Sequence, residues 1–176
     1  MSKKVEVHYS ITPSNPNAHL FAITCTIDNP HREGEILSMP AWIPGSYMIR
    51  DFAKNIVQIS AATEDGELKL NKLDKQTWQC EATNKTITVK YEVYAWDLSV
   101  RTAHLDSTHG FFNSSSVFLA VKSKQHQSCT VEINPPAGSQ FKDWRVATTL
   151  PCKSASLYEF GIYEASDYDE LIDHPV

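Results

Sequence analysis

Thr86-Ile-Thr-Val-Lys-Tyr-Glu-Val-Tyr-Ala95 decides the fold class. Ile87, Val89, Tyr91, Val93 and Ala95 alternate with Thr88, Lys90, Glu92 and Tyr94. A period of two puts the first set on one face of an extended chain and the second set on the other. The β-branched and aromatic content fits a half-buried strand.

The same pattern recurs in both directions. Upstream, Trp78, Cys80 and Ala82 alternate with polar residues, and Thr83-Asn-Lys85 is short enough to join the two runs as an antiparallel hairpin. Val5, Val7, Tyr9 and Ile11 form a first strand, and Thr12 to Asn17 breaks it as a loop. Phe21, Ile23, Cys25 and Ile27 form a second, and Ile36 to Met39 a third. Asn55 to Ala62 reads as a strand returning through the Asp65-Gly66 turn into Glu67 to Leu70. Ile49, Phe52, Ala53 and Ile56 also fit a short helical turn. Downstream, Phe111-Phe112 and Val117 to Val121 are apolar runs split by Asn113-Ser-Ser-Ser116. Cys129, Val131 and Ile133 alternate again, and Trp144 to Thr149 and Leu157 to Ile162 complete the set. No segment sustains three helical turns. About ten short strands with regular turn signals predict an all-β antiparallel sandwich with little helix. Residues 1–165 form the sandwich domain. Residues 166–176, beginning with the acidic run Ser166 to Glu170, read as an uncompacted linker.

Composition excludes several functions. Sixteen basic against twenty-one acidic residues give a net charge of −5, and no Lys/Arg cluster offers a footprint for nucleic acid or an anionic membrane. No apolar run reaches the ~18–20 residues of a membrane span. The start Met-Ser-Lys-Lys-Val-Glu-Val has no apolar core of a secretory signal, so the expected location is cytoplasmic. Cys25, Cys80, Cys129 and Cys152 form no Cys-x-x-Cys pair and are expected as free thiols, the first three buried.

Ala41-Trp-Ile-Pro-Gly-Ser-Tyr-Met-Ile-Arg-Asp-Phe-Ala53 does not fit an ordinary surface loop. Pro44-Gly45 is a turn dipeptide. Trp42, Ile43, Tyr47, Met48 and Ile49 surround it with apolar mass, which predicts a turn pinned into the core or into a contact surface. Arg50 and Asp51 are expected either to pair, since an unpaired buried charge is costly, or to be solvated. Trp42, Pro44, Gly45, Ser46, Tyr47, Arg50 and Asp51 are therefore the candidate motif for internal support or domain docking.

This stretch resembles the signature near the start of the glycyl aminopeptidase family of zinc metallopeptidases (peptidase family M-sixty-one). Ser99-Val-Arg-Thr-Ala-His-Leu-Asp-Ser-Thr-His-Gly-Phe-Phe-Asn113 is similar to a second segment of the same domain, and Asp167 to Val176 is similar to the run leading into the catalytic domain. The resemblance implies a non-catalytic N-terminal domain cut from a longer chain, packed on a downstream catalytic domain that holds the zinc. It implies a peptide substrate for the parent, with small N-terminal residues such as glycine or alanine removed. By analogy with related zinc aminopeptidases, Asn113 and Ser114 would face the rim of the substrate pocket.

No cofactor and no catalytic or metal-binding set is expected within these residues. His-Glu-x-x-His is missing, and the serine run lacks a Gly-x-Ser-x-Gly elbow. His104 and His109, with Asp106 between them, are the one histidine pair at short range. Their spacing does not place both histidines on one face of a regular helix or strand, so polar loop residues are the simpler reading. The alternative function is a stand-alone β-sandwich module binding protein or carbohydrate through exposed aromatics such as Tyr94, Trp96 and Trp144. Docking on a further domain predicts an exposed apolar patch near the 41–53 motif or the Phe111-Phe112 edge.

Overall fold

The computed structural model describes residues 5–46 and 48–176. Among these residues thirteen strands run in chain order: β1 (Val7–Asn15), β2 (Leu20–Ile27), β3 (Ile36–Ser38), β4 (Ile56–Thr63), β5 (Gly66–Leu68), β6 (Leu70–Lys72), β7 (Thr77–Cys80), β8 (Ile87–Tyr94), β9 (Ala103–Leu105), β10 (Gly110–Phe112), β11 (Ala120–Val121), β12 (Cys129–Ile133) and β13 (Gly161–Ala165). A six-residue helix, α1 (Tyr168–Asp173), follows.

The main sheet has seven strands in the order β13-β12-β1-β2-β8-β4-β5. Among the described residues only β1 and β12 pair in parallel. A smaller sheet, β11-β3-β7-β6, lies across from it, and β9-β10 is a separate hairpin. The all-β sandwich read from the sequence is therefore the fold. Inward residues match the alternation: Tyr9 lies opposite Cys25, Cys25 opposite Val89, and Ile23 opposite Tyr91. Each is at most 2% exposed, so they belong to one continuous core.

Between the sheets runs a segment with no regular structure, Val117-Phe118-Leu119, fully buried. Irregular backbone in a core needs partners for every polar group. Three tyrosines supply most of them. Tyr91 Oη donates to the Val117 carbonyl (2.8 Å) and accepts from the Leu119 N–H (3.2 Å). Tyr168 Oη donates to the Phe118 carbonyl and Tyr9 Oη to the Leu119 carbonyl, both at 2.7 Å. The N–H groups of Val117 and Phe118 both reach the Ser114 carbonyl. Burial raises all three phenol pKa values well above the ordinary value.

Several local expectations are corrected. β7 and β8 do not form a hairpin: β7 pairs with β3 and β6, whereas β8 pairs with β2 and β4. Alternation identifies the apolar face of each strand, and here the two faces meet across the core instead of side by side. β1 runs past Ile11 to Asn15, with a register shift between Pro13 and Asn15. Both readings of the 49–59 stretch hold in turn, since a 3-10 turn at Phe52–Asn55 leads directly into β4. Trp144 to Thr149 is not a strand. The last strand begins only at Gly161, because Tyr158 at φ 66° and Gly161 at φ 141° bend the chain before it. At Gly161 a Cβ would come within 3.2 Å of Ala155, and the positive φ favours glycine there as well.

The tail is not an uncompacted linker. Its acidic run is a helix start: Asp167 caps α1 by accepting from the Glu170 N–H at 2.8 Å, and Asp169 and Glu170 occupy the first turn, where the helix dipole favours them. Tyr168, Leu171 and Ile172 are buried at i, i+3 and i+4. Val176 then exchanges two backbone hydrogen bonds with Phe112.

Two substitutions probe this architecture. Tyr91→Phe strands the Val117 carbonyl and the Leu119 N–H, so urea unfolding should show a loss of about 1–3 kcal/mol for each stranded group. Leu171→Ala should cost about 2–5 kcal/mol by the same measurement, as for a core leucine; a loss near zero would restore the linker reading.

Candidate functional site

The 41–53 motif is a closed loop. Its ends are tied by the Arg50 N–H donating to the Ala41 carbonyl at 2.6 Å. Ile43, Pro44, Gly45 and Ser46 form a β-turn, with Ser46 N–H reaching the Ile43 carbonyl at 3.2 Å. Proline in the second place and Gly45 at φ 75° in the third define a type II turn. Ile43, Phe52 and Ala53 anchor the loop in the core. Trp42, Met48 and Ile49 point outward, 56%, 63% and 72% exposed. The loop is thus held from beneath and apolar on top. Tyr47 lies outside the described residues.

The expected Arg50–Asp51 pair does not form among the described residues. Asp51 adopts φ 50°, which sends its carboxylate to Lys75 Nζ at 2.6 Å. Arg50 Nε is buried without a hydrogen-bond partner. Adjacent residues on a turning chain project apart, so sequence adjacency was a poor guide to ion pairing.

The serine run is a 3-10 turn, Ser114–Ser116, capped by Asn113. Asn113 Oδ1 accepts from the N–H and the hydroxyl of Ser115. Ser114 Oγ donates to the His174 carbonyl at 2.8 Å, and Ser116 Oγ donates to the Asn113 carbonyl. All three serines are buried, and each hydroxyl proton is committed to an acceptor that is not a general base. Ser114 presents no surface, whereas Asn113 is half-buried and reaches toward the loop around Val100. Beside this edge, Phe111, Trp144, Val146, Phe160 and Val176 line an apolar groove of about 350 Å³.

The β9–β10 hairpin carries a polar cluster. Its turn reverses between Asp106 and His109, where the Asp106 N–H bonds the His109 carbonyl at 3.0 Å. Asp106 Oδ1 accepts from the Thr108 hydroxyl, the Thr108 N–H and the His109 N–H. Oδ2 accepts from His104 Nε2 at 3.1 Å. These bonds, the Thr108 hydroxyl foremost, hold the carboxyl well below its usual range. A column of rings stands behind them. His19 stacks on Trp96 at 3.8 Å, Trp96 on His104 at 4.9 Å, and His104 lies 5.1 Å from His109. The ligand atoms of His104, Asp106 and His109 all fall within 4.8 Å of one another. Spacing along one regular element did not reveal this cluster, because the hairpin turn brings the two histidines together. The column was also missed, since its members come from three separate segments. Tyr94, Trp96, Leu98 and Val100 form an exposed apolar run nearby, while Trp144 is only half-exposed.

Cys25, Cys80 and Cys129 are buried free thiols and Cys152 is exposed, as expected. Burial pushes Cys80 and Cys129 up to about 12. No helix among the described residues is long and apolar enough to cross a membrane.

These features define a class: a β-sandwich whose polar clusters brace turns, with an apolar loop presented at its surface. The chain belongs to the family of the peptidase M61 N-terminal domain, which its residues 8–176 match. An aminopeptidase N family protein from Idiomarina loihiensis shares 41% identity and superposes with a TM-score of 0.92 over 96% of this chain. This chain spans 28% of the length of that protein. An M1 zinc metallopeptidase from Deinococcus radiodurans is 8% identical with a TM-score of 0.47, over 93% of this chain and 38% of its own, a level at which the likeness carries no argument. No curated protein sequence matches.

The thiols give a test with a defined sign. Ellman's reagent at pH 8 should titrate one fast thiol, Cys152, in the native chain and all four after denaturation. Because the folded pKa values of Cys80 and Cys129 lie above the unfolded value of roughly 8.5, their contribution to stability is complete below that pH. It is lost as pH rises toward about 12, so urea midpoints should fall across that window.

Proposed function

We propose that this chain is the supporting, non-catalytic N-terminal domain of a zinc-dependent aminopeptidase, and that it docks on a catalytic domain of the same polypeptide through the 41–53 loop. The observation that carries the reading is the loop itself. Its backbone is closed and its anchors are buried, yet Trp42, Met48 and Ile49 are left in water. Rigid presentation of apolar side chains suits an interface, because little ordering entropy remains to be lost on contact.

In the parent the catalytic domain would supply the zinc, which activates a water for attack on the peptide carbonyl. The substrate would be a peptide whose small N-terminal residue, glycine or alanine, is removed. Asn113, which follows the groove-lining Phe112 in the chain and is half-buried, would meet the substrate rim. The four free cysteines suit a reducing compartment, and we place the parent in the cytoplasm. The exposed Tyr94 and Trp96 favour a second reading, a binding module acting through that face.

In the full-length parent, Trp42→Ser combined with Met48→Ser should split a single thermal transition into two and lower kcat/KM. Loss of a buried aromatic anchor costs about 2 kcal/mol or more at an interface. A single unshifted transition with full activity would exclude the docking role. Asn113→Ala should raise KM for substrates with small N-terminal residues; unchanged KM and kcat would remove the rim assignment.

A further inference from the structure

We propose a metal site in this chain: His104 Nε2, Asp106 Oδ2 and His109 Nδ1 bind one borderline divalent transition ion at the tip of the β9–β10 hairpin. The donor set is two imidazoles and one carboxylate oxygen, which suits zinc, nickel or copper and not the all-oxygen shells of calcium or magnesium.

The geometry is already close. His104 Nε2 and Asp106 Oδ2 are 3.1 Å apart, near the edge of about 3.3 Å in a tetrahedron with bonds of about 2.0 Å. Asp106 Oδ1 is occupied by three donors, so the carboxylate is oriented and offers Oδ2 as a single ligand atom. His104 is fixed by its place between Trp96 and His109, and its side chain is only 8% exposed. His109 is 48% exposed, with its Nδ1 3.5 Å from Asp106 Oδ1 and 2.9 Å from the Thr108 hydroxyl, a surface hydrogen bond that it would exchange for the ion. The cation would replace the proton shared by His104 and Asp106, and solvent would fill the fourth position. Three ligands contributed by a six-residue span would clip the hairpin just before Asn113.

One feature sets the strength. The Nδ1 of His104 is buried with no hydrogen-bond partner. In the metal-bound ring the remaining proton sits on that nitrogen with no acceptor. Missing outer partners typically weaken a site by about 10–100-fold, so the site should be weaker than a structural zinc centre.

The test is calorimetric titration of zinc chloride into this chain carrying Cys152→Ser, which removes the exposed thiol as a competing ligand. One equivalent should bind, and melting should rise with zinc concentration. His109→Gln, at the surface, and Asp106→Asn, which retains a turn-capping oxygen, should each weaken binding by about 10-fold or more. His126→Gln, at an exposed position elsewhere, should leave it unchanged. Lack of stoichiometric binding, or equal affinity in His109→Gln, would overturn the site without bearing on the docking role.

Discussion

The molecule depends on satisfying the backbone of Val117-Phe118-Leu119. These residues cross the space between two sheets with no strand or helix to pair them, at 0% exposure. Tyr9, Tyr91 and Tyr168 bring hydroxyls from β1, β8 and α1 to their three carbonyls. A tyrosine can do this because its ring fills the apolar core while its hydroxyl reaches across. The arrangement couples elements distant in the chain. The C-terminal helix becomes part of the core through Tyr168, and the serine turn that begins the segment is fixed by Asn113 and the His174 carbonyl.

That core leaves two faces with spare chemistry. At one, the 41–53 loop has its polar backbone tied down and its apolar side chains exposed. At the other, the β9–β10 hairpin gathers two imidazoles and a carboxylate against a stacked indole. The first suits a broad contact with another domain. The second suits a small, directional ligand. The run Asn113 to Ser116, which the sequence leaves as a polar break between two apolar runs, is a capped 3-10 turn.

The errors of reading share a cause. Alternation reported which residues face inward but not which strand lies beside which, so β7 and β8 were joined although they lie in opposite sheets. Acidic composition suggested a solvated tail, yet Asp167, Asp169 and Glu170 are placed where a helix start favours negative charge. Arg50 and Asp51 are neighbours in sequence, but the left-handed turn at Asp51 sends its carboxylate to Lys75. Each case required information about direction or neighbour that local pattern does not hold.

The sequence by itself determined the all-β class, the inward face of each main strand, the buried thiols and the Pro44-Gly45 turn, because period and turn chemistry are local properties. Only the tertiary structure decided the strand order, the packed tail, the outward aim of Trp42, Met48 and Ile49, and the meeting of His104, Asp106 and His109. Those depend on where a turn redirects the chain and on which buried polar group must find a partner, and both are settled by contacts between residues far apart in sequence.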